Sequence, residues 1–151
     1  MADKRRFALF ADLLRERFPR ARRVYDVAGG MGALNAELVK RGFSALTFDA
    51  RHKRLPVEFA ERRFTLNEPC DADVVTGMHP DGATRLIIEY AGKHRIPFAV
   101  VPCCSDNSAP YKTWMKDLKA LAEGLGLDVE EALLPMAGRA RVLLGGVSPR
   151  A

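Results

Sequence analysis

Apolar positions along the chain change their period several times, and each change marks an element. Phe7, Phe10, Ala11, Leu14 and Phe18 recur at helical spacing, behind Asp3 as a candidate cap and ahead of Pro19 as a stop. Residues 24–27, V-Y-D-V, favour extended backbone, and the glycines of the following A-G-G-M-G permit a tight turn. From Ala33 the helical period returns in Leu34, Leu38 and Val39, until Gly42. Residues 43–49 predict a second strand that ends in Asp49. Residues 51–63 contain Pro56 and predict a loop with a brief helix after the proline, and residues 64–66 a short third strand. D-V-V-T at 73–76 predicts a fourth strand running into G-M-H-P-D-G. Residues 84–95 then predict a helix capped by Asp81, with Leu86, Ile87, Tyr90 and Ala91 inward. P-F-A-V-V-P at 97–102 is an unbroken apolar run, as in strands buried on both faces of a parallel sheet. Past the polar stretch C-C-S-D-N-S-A-P-Y, residues 111–125 predict a helix burying Trp114, Leu118, Leu121 and Leu125. Residues 127–134 and 140–147 predict an antiparallel pair of strands.

Strands alternating with helices imply an α/β fold: a doubly wound, mostly parallel sheet with a C-terminal antiparallel hairpin, forming a single domain over residues 1–151. Such sheets bind ligands at the carboxyl ends of their strands, which brings residues 29–32, 49–51, 77–81 and 102–107 to one crevice. The strand, glycine turn and helix at 24–40 make half of a nucleotide-binding unit, whose helix N-terminus offers free N–H groups. Asp49 lies about 20 residues beyond the first glycine, where such units place a carboxylate for ribose hydroxyls. The dinucleotide fingerprint G-x-G-x-x-G would begin at Gly30 and Gly32, but its third glycine is replaced by Asn35. That substitution disfavours a nicotinamide cofactor.

With Asp26 placed before the turn, the string D-V-A-G-G-M-G resembles motif I of the class I S-adenosylmethionine (SAM) dependent methyltransferases. The resemblance implies SAM as cofactor, with Asp26 near its methionine end and Ala28, Gly29, Gly30 and Gly32 wrapping its backbone. It further implies Asp49 on the ribose with Ala50 and Arg51 beside it, Asn67 at the adenine amine, and Gly77, Met78 and His79 bordering the ligand after strand four. A second motif pair, G-M-H-P-D-G-A-T and P-F-A-V-V-P-C-C, is similar to elements of the eukaryotic tRNA-serine uridine 2′-O-methyltransferases and related methyltransferase-like proteins. That similarity implies RNA as acceptor, at a ribose 2′-hydroxyl of tRNA. The chain is much shorter than those enzymes, so a homodimer or a partner subunit is expected to supply acceptor surface.

His79, Asp81 and Cys103 are the candidate catalytic residues. His79 either accepts a proton from a hydroxyl or braces its loop. Asp81 either borders the methyl group or caps the helix after it. Cys103 either adds to a pyrimidine base, as in pyrimidine C5 methyltransferases, or packs the pocket floor with Cys104. Cys70, Cys103, Cys104 and one histidine do not make an evident ligand set, so no metal is expected. The D/N-P-P-Y/F motif of amino-group methyltransferases is absent, which argues against chemistry at a base amine.

Charge adds a partner to this picture. The chain of 151 residues carries a net charge of +5. Its first 23 residues hold eight basic and three acidic side chains, which leaves the remainder neutral. Arg51, His52, Lys53 and Arg54 form a second cluster, followed by Arg62 and Arg63. Arginine outnumbers lysine by more than two to one, as forked contacts to phosphate favour. RNA is therefore the expected partner, and a solvated basic face without a partner is the alternative. No run approaches the roughly 18 apolar residues of a membrane span. The opening helix resembles an organellar presequence except for Asp3, Asp12, Glu16 and its lack of serine. Three cysteines, an odd number in no recognised spacing, fit a reducing cytoplasm. Three rivals remain: a small-molecule methyltransferase, a protein methyltransferase, and a SAM-binding scaffold without turnover.

Overall fold

A computed structural model describes residues 3–80, 82–102 and 110–147. In chain order its elements are α1 (Arg6–Arg17), β1 (Arg23–Val27), α2 (Ala33–Lys40), β2 (Ser44–Asp49), β3 (Phe59–Glu61), β4 (Val74–Met78), α3 (Thr84–His94), β5 (Phe98–Val101), α4 (Tyr111–Gly124), β6 (Leu127–Leu133) and β7 (Arg141–Val147). The strands form one sheet in the order β3-β2-β1-β4-β5-β7-β6. Pairing is parallel from β3 through β5 and antiparallel where β7 joins β5 and β6 joins β7. The doubly wound sheet and its terminal hairpin are thus as the residue pattern implies.

Strand alternation divides the interior into two layers. Tyr25, Val27, Phe48, Phe98 and Val100 face α3 and α4, where they meet Ile87, Tyr90, Trp114 and Leu118. Val24, Ala45, Ala99, Val101 and Leu144 face the other way, against Phe10, Leu14, Leu34 and Leu38 of α1 and α2. The order of strands reverses between β1 and β4, and both strands deliver their carboxyl ends to one side. Among the described residues, no helix is long and apolar enough to cross a membrane.

Four local expectations are corrected. The third strand is Phe59–Glu61 rather than 64–66, because residues 59–61 lie in register with Thr47–Asp49 of β2. Phe64 instead plugs the core edge-on, with its ring 4.6 Å from Tyr90 and 4.9 Å from Phe48. No helix follows Pro56: the Leu55 N–H donates to the Met31 carbonyl at 2.8 Å, which draws this segment extended across the glycine turn. Asp3 does not cap α1 at its N-cap, which is Arg5; its carboxylate accepts from the Arg5 N–H (2.8 Å) and guanidinium. Val39 belongs to the period of α2 but points to solvent, 54% exposed. The helix 84–94 has Ala83 at its N-cap with no side-chain cap, while Asp81, predicted to fill that role, lies outside the described residues.

Candidate functional site

The ends of β1, β2 and β4 open onto a cleft of about 620 Å³. That volume is within the range of small-molecule sites. Its floor begins with Asp26, the only acid inside β1, which strand alternation turns toward α2 rather than toward solvent. Asp26 is 1% exposed. Its Oδ2 accepts a hydrogen bond from the Thr47 hydroxyl at 2.8 Å, and Oδ1 is buried without a partner among the described residues. Burial pushes the Asp26 carboxyl up to about 7; the Thr47 hydroxyl opposes the shift and the charge of Asp49 adds to it. Asn35 completes the row: its Nδ2 donates to Thr47 Oγ1 (3.1 Å), to the Ala45 carbonyl (3.1 Å) and to the Glu58 carbonyl (3.0 Å). The residue that breaks the dinucleotide fingerprint is therefore a fully buried strut between α2 and β2.

The turn over Asp26 is left-handed at Ala28 (φ 54°), Gly30 (φ 62°) and Gly32 (φ 94°). Ala28 holds that conformation despite its Cβ, a strain of the kind concentrated at functional sites. Gly29 lies flat on the acid, and a Cβ there would overlap the Asp26 carboxylate. Gly30 is open above: among the described residues, the Arg51 guanidinium alone would come within 4 Å of a Cβ placed there. Asp49 ends β2 beside it: Oδ2 accepts from the Gly30 N–H at 2.8 Å, and Oδ1 from the Arg51 N–H at 3.1 Å. One carboxylate thus lies beneath the turn and a second clasps its side.

The far wall comes from β4 and the segment after it. Met78 and His79 line the cleft with Gly82, Ala83 and Leu86. His79 is left-handed at φ 50°, held by its N–H on the Val101 carbonyl (2.9 Å) and by Nε2 against the Arg139 carbonyl (3.0 Å). A carbonyl only accepts, so the Nε2 facing Arg139 carries a proton, and among the described residues Nδ1 has no partner.

Asp26, Ala28, Gly29, Gly30, Asp49, Ala50, Arg51, Met78 and His79 all line the cleft, as the sequence places them. Gly32, Gly77 and Asn67 are not among the lining residues. Gly32 caps α2 and packs on Val57; Gly77 packs on Ile87 and Pro80. Asn67 is exposed, its N–H donating to the Thr65 hydroxyl at 3.2 Å, and Arg63 with Phe64 lines the cleft in its stead. Asp81, Cys103 and Cys104 lie outside the described residues. The sequence reading missed Arg6 and Phe7 of α1 and the pair Arg63 and Phe64, all of which line the cleft. The dipeptide Arg-Phe occurs at 6–7, 17–18 and 63–64, and Arg17 and Phe18 lie outside the cleft, so no local sequence signal marks these residues.

Sheet order, terminal hairpin and an acid beneath the glycine turn together define the fold of the class I SAM-dependent methyltransferases, and this chain has that fold. A SAM-bound amino pentose methyltransferase from Micromonospora echinaspora superposes with a TM-score of 0.68 at 13% identity, over 93% of this chain and 90% of that one. Human N-acetylserotonin methyltransferase in complex with SAM gives a TM-score of 0.62 at 17% identity, over 95% of this chain and 51% of that one. By sequence, a probable tRNA (uracil-O(2)-)-methyltransferase of Caenorhabditis elegans is 26% identical over 162 aligned residues. That alignment takes in 87% of this chain but 29% of the relative's length. No family model matches the chain.

Proposed function

We propose that this chain is a SAM-dependent methyltransferase acting on RNA, at a ribose hydroxyl of tRNA. The observation that carries the cofactor is the pair of carboxylates around the glycine turn: Asp26, buried with an Oδ1 that has no partner among the described residues, and Asp49, tied to the Gly30 N–H. The residues present fit the cofactor. An orphaned buried oxygen calls for a donor, which the ammonium of the methionine end provides. The open space over Gly30 admits a ligand backbone, and Asp49 keeps lone pairs for ribose hydroxyls. Phe64, Ala83 and Leu86 would bound the adenine on the apolar side of the cleft.

When bound, SAM supplies a methyl group activated by its sulfonium. The chain's own part is chiefly positioning, since in-line transfer depends on orientation before proton movement. In this reading His79 holds the acceptor's proton. Its Nε2–H is fixed on the Arg139 carbonyl, which leaves Nδ1 as the base toward a hydroxyl. Support for RNA comes from the tRNA methyltransferase relative and from arginines 6, 51 and 63 at the cleft.

Calorimetric titration tests the cofactor. S-adenosylhomocysteine is expected to bind and NAD is not; Asp49→Ala should weaken the former at least about tenfold, through the loss of one or two charge-assisted hydrogen bonds. Binding of NAD alone, or of neither ligand, would overturn the assignment.

A further inference from the structure

The basic N-terminal helix does not simply cover the sheet: Arg6 and Phe7 in its first turn line the same cleft as Asp26 and His79. The Arg6 guanidinium carbon lies over the Phe7 ring, 4.4 Å from its centroid. Its Nη1 donates to the Asp3 carbonyl at 3.0 Å, so the plane is held at both ends. Both side chains are only partly buried. Among the described residues Arg6 has no carboxylate partner, whereas the adjacent Arg5 is paired with Asp3 at 2.9 Å. A fixed cationic plane backed by an aromatic ring, set in the wall of a cleft, is a stacking surface for a base with a charge left over for its phosphate.

We infer that Arg6 and Phe7 form an acceptor subsite that takes one unpaired nucleotide of RNA, its base stacked on the Arg6 plane and its phosphate drawn by the guanidinium edge. The inference rests on the methyltransferase function proposed above, and adds to it that the acceptor is single-stranded where it enters. A base held in a duplex has no free face to offer this wall. Recognition by stacking tolerates any base, so the subsite selects unpaired structure rather than sequence.

The test is fluorescence anisotropy with a short labelled oligouridylate and a blunt RNA duplex of the same strand length, with S-adenosylhomocysteine bound. Wild type should bind the single strand more tightly than the duplex. Phe7→Leu keeps apolar volume in the helix and loses the ring, and Arg6→Lys keeps charge and loses the plane. Each should weaken single-strand binding roughly tenfold, the size expected for one stacked base, while S-adenosylhomocysteine affinity stays as in wild type. Arg20→Ala, which removes a charge at an exposed residue outside the cleft, should change binding little. Single-strand binding undiminished in both cleft variants, with S-adenosylhomocysteine bound normally, overturns the subsite and leaves the cofactor assignment standing. Failure of wild type to bind S-adenosylhomocysteine overturns that assignment and the subsite with it.

Discussion

A carboxylic acid enclosed in a sheet is costly when charged, and Asp26 bears that cost at the position where a cationic ligand would relieve it. Its ordinary value of 3.8 rises to about 7 in the folded chain. Between these values the folded state holds a proton that the unfolded state has released. Unfolding free energy therefore falls as pH rises through that window, by roughly 4 kcal/mol in all, and the loss is complete above it. Asp26→Asn keeps the Thr47 hydrogen bond through its amide oxygen and cannot ionise. The variant should gain thermal stability over wild type as pH is raised from about 5 to about 8, where wild type carries the buried charge. Ligand binding should move the other way: wild-type affinity for S-adenosylhomocysteine should increase across the same range, as the ionised carboxylate meets the ammonium, and that of the variant should stay flat. Parallel stability curves for the two proteins would show that Asp26 does not titrate here.

At the scale of elements, the β1–α2 turn separates two glycines that the sequence leaves alike. Gly29 is fixed by packing on Asp26, whereas Gly30 has room and is constrained only by its φ of 62°. Gly29→Ala should thus disturb the free protein, while Gly30→Ala should cost about 1 kcal/mol of stability, the penalty for a left-handed Cβ. Both should lose S-adenosylhomocysteine, Gly30→Ala because its methyl group enters the ligand's space. Melting temperatures with and without ligand check this, and a Gly30→Ala protein that binds normally would move the ligand off the turn. The turn itself was legible because glycines and a spaced acid are local features. The third strand was not, because F-A-E at 59–61 and F-T-L at 64–66 are both short and β-prone. Pairing with β2 settles which forms, and Phe64 finds a better place among Tyr90 and Phe48. The cleft's α1 wall was also hidden. Helical period shows that Phe7 faces the protein, but only the packing of α1 on α2 shows that its ring reaches the cleft.

Over the whole molecule, much of the basic density that suggests nucleic acid is neutralised within the fold. Arg23 pairs with Glu58 at 2.7 Å, Arg41 with Asp12 at 2.6 Å and Arg62 with Glu68 at 2.8 Å. Arg17 pairs with Glu130, and His52 and Arg54 both face Glu61. Such pairs at the surface add little stability, but they remove cations from the field a polyanion would meet. Arg6, Arg51 and Arg63 are the arginines left at the cleft. Arg51 is partly screened by Asp49, with Nε 3.7 Å from Oδ1. An acceptor bound through the cleft should therefore release few counterions. With about three phosphates neutralised on a single strand, the slope of log affinity against log salt concentration should be about −2. A chain using its full complement of basic residues would give a slope several times steeper. Anisotropy titrations of the oligouridylate across a salt series distinguish the two. The shallow slope, lowered by about 0.7 in Arg63→Ala, places binding at the cleft. A steep slope insensitive to Arg63 would place it on the outer basic surface, where no methyl group can be delivered from the site described.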